Sequence, residues 1–217
     1  MLRVLVVIAV WAVIGAIAVR SWPDAGAADS GSREISPDTR AATLRFAAEV
    51  DPADRAWILA AIGKARPEAR RLIAEIDGLV EVRTDLPRGE AIGLAQMTID
   101  RAVVSFDARS LNGDRAIDRD VVVLHELGHV IDFQLVPDEL VQELDRGIPR
   151  VGSCGDSALL PTGACTSIEE RFADTFAKWA LRGRISLAGS GYGIPAPPSI
   201  EGWGAPLGLL AGRLNTR

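Results

Sequence analysis

Both histidines of this chain lie in one short stretch, H-E-L-G-H at residues 125–129. Apolar residues precede it at 121–124 and follow it at 130–131, as in a helix buried within a domain. A helical period of 3.6 residues places His125 and His129 one turn apart on the same face. Imidazole and carboxylate groups are costly to bury unless they are paired or bound to a metal ion. The stretch therefore predicts a buried helix whose two imidazoles bind the same partner.

Signals at both ends delimit this helix. Asp118 or Asp120 can cap its start, because a short acidic side chain accepts hydrogen bonds from the free backbone N–H groups there. Pro137 closes the segment at its far end. Gly128 has two interpretations. It allows a neighbouring helix to pack closely, or it leaves room near a bound metal ion. An ordinary surface or core helix that happens to spell H-E-x-x-H is the alternative for the whole segment.

The spacing H-E-x-x-H is typical of zinc sites in which both histidines bind the ion and the glutamate lies beside a water. A catalytic zinc takes three protein ligands and leaves a fourth position to water. The third ligand cannot be a histidine, because the chain has no other. The extended motif that carries a third histidine is also excluded, since Asp132 and Leu135 stand where it needs Gly and His. A carboxylate or a cysteine must therefore complete the site.

A second predicted helix is the best source of the third ligand. It begins near Ser167 and runs to about Leu181, with Gly183 as its stop. Glu170 and Asp174 are four residues apart and share one face of this helix. Glu170 is the candidate ligand, and Asp174 would accept a hydrogen bond from the outer nitrogen of a ligand histidine.

Three alternatives to this assignment stay open. Ser167 and Glu170 can form an ordinary capping box, S-x-x-E. Glu169 is a second candidate ligand, although it points about 100° away from Glu170 on a helix. Cys165 can offer a thiolate, a ligand that is more typical of structural zinc sites.

The motif at 125–129, followed by E-R-F-A-D at 170–174, resembles the gluzincin branch of zinc metallopeptidases. It is especially similar to the catalytic domain of anthrax lethal factor and its small secreted bacterial relatives, over residues 67–182. The resemblance implies that His125, His129 and Glu170 bind one Zn²⁺ ion. It also implies that Glu126 is the general base for hydrolysis of peptide bonds by an activated water. The fold it implies is α+β, a zincin-like domain with a small mixed sheet, an active-site helix and a second ligand-bearing helix.

Two further parts of such a site are predicted. By resemblance, one strand lies along the cleft and pairs with an extended substrate, with a plain structural strand as the alternative. This strand is predicted at Ala91, Ile92, Gly93, Leu94, Ala95 and Gln96. Tyr192 is the only tyrosine and lies in a glycine-rich run, where it is a candidate second donor to an oxyanion. A tyrosine packed on a loop is the alternative.

The N-terminus predicts export. An apolar run at residues 4–19 follows the basic Arg3, and A-G-A at 25–27 is a candidate cleavage site. Residues 1–27 are therefore predicted to be a signal peptide or, if retained, a membrane anchor through residues 4–19. The protein would be secreted or held on the extracytoplasmic side. Residues 28–38 are predicted to be a linker that leads into a zincin-like domain at 39–217, with a Pro/Gly-rich tail from about 189.

The predicted export suggests a role for the two cysteines, and the net charge limits the expected partners. Cys154 and Cys165 are the only cysteines, and an even pair in an exported chain predicts a disulfide. The formal net charge of −5 argues against a nucleic-acid partner, which leaves a peptide or protein as the expected substrate.

Two other functions compete with the endopeptidase. One is a non-catalytic cell-envelope or binding protein with a structural zinc site, against which the intact Glu126 counts, since a structural site does not use a base. The other is a zinc amidase that acts on a non-peptide amide.

Periodicity and turn signals predict the remaining elements. Helices are expected at 40–48, 52–64, 67–78 and 203–214, strands at 79–83 and 102–106, and a turn at 111–114.

Overall fold

The computed structural model describes residues 7–9, 44–88, 91–113, 118–150, 166–183 and 194–214. Within these ranges the chain forms one mixed sheet and seven helices, which confirms the predicted α+β class. The strands are β1 (Val7–Ala9), β2 (Arg45–Phe46), β3 (Val80–Arg83), β4 (Gly93–Met97) and β5 (Ala102–Phe106). The helices are α1 (Pro52–Lys64), α2 (Pro67–Glu75), α3 (Ala108–Gly113), α4 (Arg119–Leu135), α5 (Asp138–Arg146), α6 (Ile168–Ala180) and α7 (Ile200–Leu214).

Local signals set the bounds of several helices. α1 begins after Asp51, whose carboxylate accepts a 2.8 Å hydrogen bond from the backbone N–H of Ala53. α2 begins at Pro67, a residue suited to the first turn because its fixed φ is helical and its missing N–H is not needed there. Gly78 adopts φ +83° in the turn that leads into β3, a conformation that L side chains rarely adopt.

The sheet has the strand order β1-β4-β5-β3-β2. β2 and β5 run parallel to β3, whereas β4 runs antiparallel to β5 and β1 antiparallel to β4. Four of these strands come from residues 45–106, and β1 adds a short fifth strand along the outer edge of β4. β4 is thus the outer strand of the four, on the side of the sheet to which β1 is added.

Two predicted elements are wrong in the described residues. The helix expected at 40–48 is replaced by β2 in its described part, where the backbone N–H of Ala47 donates to Val82 O at 2.9 Å. Leu44 is buried and Phe46 packs against the core, an alternation that fits a strand. The turn expected at 111–114 is replaced by α3, whose first turn is held by Asp107 through hydrogen bonds to the backbone and hydroxyl of Ser110.

α4 lies in the middle of the core and packs closely against α6. A Cβ on Gly128 would lie 3.1 Å from Cα of Ala173 and 3.2 Å from Cδ1 of Phe176. Of the two interpretations of Gly128, the structure therefore supports close helix packing. α6 is buried from Glu170 to Ala180, and α7 covers its far end, where Gly204 lies against the indole of Trp179.

The predicted leader is described only at Val7–Ala9, which is a strand. The candidate cleavage site at 25–27 and the predicted linker at 28–38 lie outside the described residues. Among the helices that are described, none combines the length and the hydropathy needed to cross a bilayer.

Candidate metal centre

The motif helix carries two of the site residues. Asp118 caps α4, and its Oδ1 accepts from the backbone N–H of Asp120 at 3.0 Å and of Val121 at 3.4 Å. Residues 123–131 of the helix are buried, with His125 and His129 at its centre. The cap and the apolar face thus fix the depth of both imidazoles, as the sequence predicts.

The second helix brings the third site residue. Ser167 caps α6 and its Oγ accepts from the backbone N–H of Glu170 at 3.4 Å, so the capping interaction occurs. It does not compete with a ligand role, because the cap uses the backbone of Glu170 and leaves its carboxylate to point at the histidines. The start of α6 is also held by Arg171, which is fully buried and donates to Asp145 Oδ1 at 2.6 Å and to Ile148 O at 2.8 Å.

Three side-chain atoms converge between α4 and α6. Nε2 of His125 lies 3.1 Å from Oε2 of Glu170 and 3.1 Å from Nε2 of His129. Nε2 of His129 lies 3.6 Å from Oε2 of Glu170. All three residues are buried. Three lone-pair atoms this close repel one another unless a proton or a cation lies between them.

These distances fit a tetrahedral zinc ion. Donor atoms ~2.0–2.1 Å from a tetrahedral centre lie ~3.3–3.4 Å from one another. The separations of 3.1, 3.1 and 3.6 Å among His125, His129 and Glu170 scatter around that value. Two imidazoles and one carboxylate are also a donor set that zinc accepts in catalytic sites. The three predicted ligands are thus brought together in an arrangement that could hold the ion.

Glu126 lies beside this cluster with no exposed surface. Neither of its carboxylate oxygens has a hydrogen-bond partner among the described residues. Burial raises the pKa of Glu126 to about 8, with His125 opposing and Glu170 adding to this effect through their charges. A buried carboxylate that lacks a protein partner fits a site in which a water or a substrate supplies one.

The carboxylate of Glu126 occupies space that a side chain on Gly93 would otherwise fill. A Cβ on Gly93 would lie 2.7 Å from Cδ and 2.8 Å from Cγ of Glu126, closer than atoms can pack. The first residue of β4 is therefore held directly against the candidate base. Gly93 appears in the sequence as one residue of a predicted strand, and only a fold that puts β4 over α4 reveals this contact.

The charge of Glu170 is stabilised by its neighbours. Burial raises the pKa of this carboxyl, but hydrogen bonding and positive charge from His125 and His129 outweigh burial and hold the pKa below its usual range. A lowered pKa favours the ionised form that metal binding by a carboxylate requires.

Asp174 is buried one turn after Glu170, and its described partner is Lys178. Nζ of Lys178 donates to Asp174 Oδ2 and also to the backbone oxygen of Ile194. Nδ1 of His129 has no hydrogen-bond partner among the described residues. The hydrogen bond from a ligand histidine to Asp174 therefore stays a prediction. Sequence reasoning missed Lys178, although its i,i+4 spacing from Asp174 is a recognised signal.

The other predicted site residues differ in where they lie. Glu169 is half-buried and does not belong to the ligand cluster found in the described part of the chain. Ala91 and Ile92 precede β4, which begins at Gly93 and extends to Met97, two residues later at its start and one at its end than predicted. Three predicted residues lie outside the described ranges, namely Cys154, Cys165 and Tyr192.

The chain was compared with protein-family models, with curated proteins and with solved structures. None of the three comparisons finds a match.

Proposed function

We propose that this chain is a zinc-dependent endopeptidase of the gluzincin type, built on a zincin-like α+β domain. The observation that carries the proposal is the convergence of His125, His129 and Glu170 at the spacing of tetrahedral zinc ligands, beside the buried Glu126. The first three residues would hold one Zn²⁺ ion. When bound, zinc polarises a substrate carbonyl and makes water more acidic.

Glu126 would act as the general base. It takes a proton from the attacking water, whose oxygen bonds to the carbonyl carbon of the scissile peptide. The same proton then passes to the leaving amine as the C–N bond breaks, so water is consumed and one acid and one amine are formed. A pKa near the working pH suits a group that must both accept and return a proton. The raised pKa of Glu126 and its unpartnered oxygens support this role.

Peptides are favoured as substrates by the position of β4. An open sheet edge offers unpaired N–H and C=O groups to an extended chain, and the outer edge of β4 would become such an edge once β1 is displaced from it. Gly93 at the start of β4 lies against Glu126. An extended peptide on this edge would therefore reach the candidate base. Export, to the outside of the cell or to the outer side of a membrane, is proposed from the apolar run at 4–19.

The test pairs zinc analysis with a cleavage assay on a peptide library and on cell-wall amides. Wild type and Glu126→Gln should each hold one zinc per chain, while the variant loses cleavage by ~10²–10⁴-fold, the usual contribution of a general base. Glu169→Gln is the matched control and should cleave like wild type. Bound zinc without cleavage of any substrate would favour the binding protein, and cleavage of cell-wall amides alone would favour the amidase.

A further inference from the structure

The outer edge of β4 is occupied by the chain itself. Val7 pairs with Gln96, Ile8 with Ala95 and Ala9 with Leu94, in antiparallel register. β5 covers the other edge of β4 over the whole strand. In the described part of the chain, only β1 therefore satisfies the outward N–H and C=O groups of β4.

The direction of β1 leads toward the candidate metal centre. Residue numbers rise along β1 as they fall along β4 from Gln96 to Leu94, and the next residue of β4 is Gly93. Gly93 lies directly against the carboxylate of Glu126. An extended chain that pairs with β4 in this direction is thus aimed at the catalytic glutamate of the proposed enzyme.

The proposed function makes the outer edge of β4 the docking surface for an extended peptide; we propose that segment Val7–Ala9 occupies this edge in the intact chain and blocks it. The inference that substrates use this edge rests on the proposed function; the inference that the segment blocks it does not. A pairing of three residues is short, so a longer extended peptide that covers more of the edge would displace it. Removal of residues 1–27, the predicted leader, would take β1 away and uncover the edge.

Hydrogen exchange of the full chain tests the occupancy of this edge. Neighbouring residues of a strand point their N–H groups to opposite sides, so Val7→Pro/Ile8→Pro removes at least one donor that β1 directs at β4, whichever side faces that strand, and weakens the pairing. Amides at 93–97 should then exchange faster, on the order of tenfold. Amides at 80–83 in β3, which is paired on both sides, serve as the internal reference and should not change. Ala25→Pro/Gly26→Pro is the control outside β1, and intact mass confirms that each chain keeps its N-terminus.

A peptide added to the double-proline variant tests the docking surface itself. The probe carries residues 5–11 of this chain between lysines for solubility, and Glu126→Gln is included to prevent its cleavage. The probe should return the exchange at 93–97 to the slow rate of the intact chain, whereas a probe with proline at the two central positions should not. Unchanged exchange in the double-proline variant would overturn the occupancy, and failure of the probe to restore slow exchange would overturn the docking surface.

Activity separates this inference from the proposed function. If both hold, the double-proline variant with Glu126 intact hydrolyses peptides faster than wild type at low substrate concentration, through a lower KM. Restored protection of amides 93–97 by the probe, without any hydrolysis, would support the docking surface and contradict the proposed enzyme. Hydrolysis of peptides with unchanged exchange at 93–97 would support the proposed enzyme and contradict the occupancy of this edge by Val7–Ala9.

Discussion

Nε2 of His125 lies 3.1 Å from Oε2 of Glu170, although the two residues are 45 positions apart and belong to different helices. This distance favours Glu170 over its neighbour Glu169 as the third ligand of the proposed zinc site. We expect Glu170→Ala to weaken zinc binding by more than the ~10–100-fold that loss of an outer hydrogen-bond partner costs. Zinc per chain after dialysis measures the effect. Glu169→Ala is the control and should keep its zinc, while the reverse pattern would move the ligand by one residue.

Gly93 offers a way to displace Glu126 without altering it. Gly93→Ala would place a methyl group where the Glu126 carboxylate now lies, so the carboxylate must shift. We expect the variant to fold and to bind zinc, with kcat lower by ~10²-fold, the effect of moving a catalytic group by about 1 Å. A steady-state assay checks this alongside zinc content.

The matched control for this change is Gly63→Ala in α1. Nothing lies within 4 Å of a Cβ at Gly63, so this substitution adds a methyl group in open space. It should leave kcat unchanged and raise the free energy of unfolding by ~0.5–1 kcal/mol, because alanine loses less entropy in a helix than glycine. Equal loss of activity in both variants would contradict the proposed contact with Glu126.

The raised pKa of Glu126 predicts how the metal-free protein responds to pH. Burial raises this pKa to about 8, so the folded chain keeps a proton that the unfolded chain loses above its ordinary pKa of 4.5. Stability should therefore fall as pH rises from 4.5 to 8, by up to ~1.4 kcal/mol per unit from this group. Glu126→Gln removes that dependence and should be more stable than wild type at pH 8, by ~2–5 kcal/mol, with little difference at pH 4.

Urea unfolding in the presence of a chelator measures this difference at several pH values. Glu143→Gln is the control, because it changes an exposed carboxyl on α5. Its difference from wild type in the free energy of unfolding should not change with pH. If the extra stability of Glu126→Gln over wild type does not grow with pH, the glutamate is already charged in the folded chain.

The buried pair between Asp145 and Arg171 should contribute to both stability and the site. Arg171→Met leaves the Asp145 carboxylate buried beside an apolar side chain, a loss that typically costs ~3–5 kcal/mol. Arg150 also pairs with Asp145 and should reduce that cost. Because Arg171 follows Glu170 directly, we also expect weaker zinc binding. Urea unfolding and zinc titration report the two effects.

Arg150→Ala is the comparison for that pair. Arg150 is exposed, so its loss should change the free energy of unfolding by less than about 1 kcal/mol. Replacing both partners, as Arg171→Met/Asp145→Leu, should recover part of the stability lost in Arg171→Met, because no unpaired charge then remains. A double variant less stable than the single one would contradict this account.

Local signals predict the helices of the site well. α1 has the predicted bounds of 52–64, α4 begins after Asp118, one of its two predicted caps, and α6 begins after Ser167. These features depend on side chains within a few residues of each other, which a sequence displays directly. The candidate ligand triad depends on these signals only in part. The spacing within each helix decides which side chains share a face, whereas the approach of α4 to α6 is a tertiary contact that only the resemblance implied.

Features that depend on distant partners could not be predicted in this way. β2 exists because β3 supplies its hydrogen bonds, so the segment around Phe46 has no local reason to be a strand. From the sequence alone, Arg171 would be expected at the surface. Its burial is understandable only once the fold places Asp145 and the backbone oxygen of Ile148 beside it. Likewise, Gly93 becomes informative only when β4 lies over α4.

The close packing at Gly128 fixes the spacing of the three candidate ligands through folding alone. The helices that carry His125, His129 and Glu170 touch at Gly128, where a Cβ would lie 3.1 Å from Cα of Ala173. The entropy of assembling the three donors is then lost during folding rather than on binding. Withdrawing zinc should therefore leave the helices in place, unlike in zinc fingers, whose fold depends on the metal. The proposed zinc site would then release and rebind its ion repeatedly while the chain stays folded.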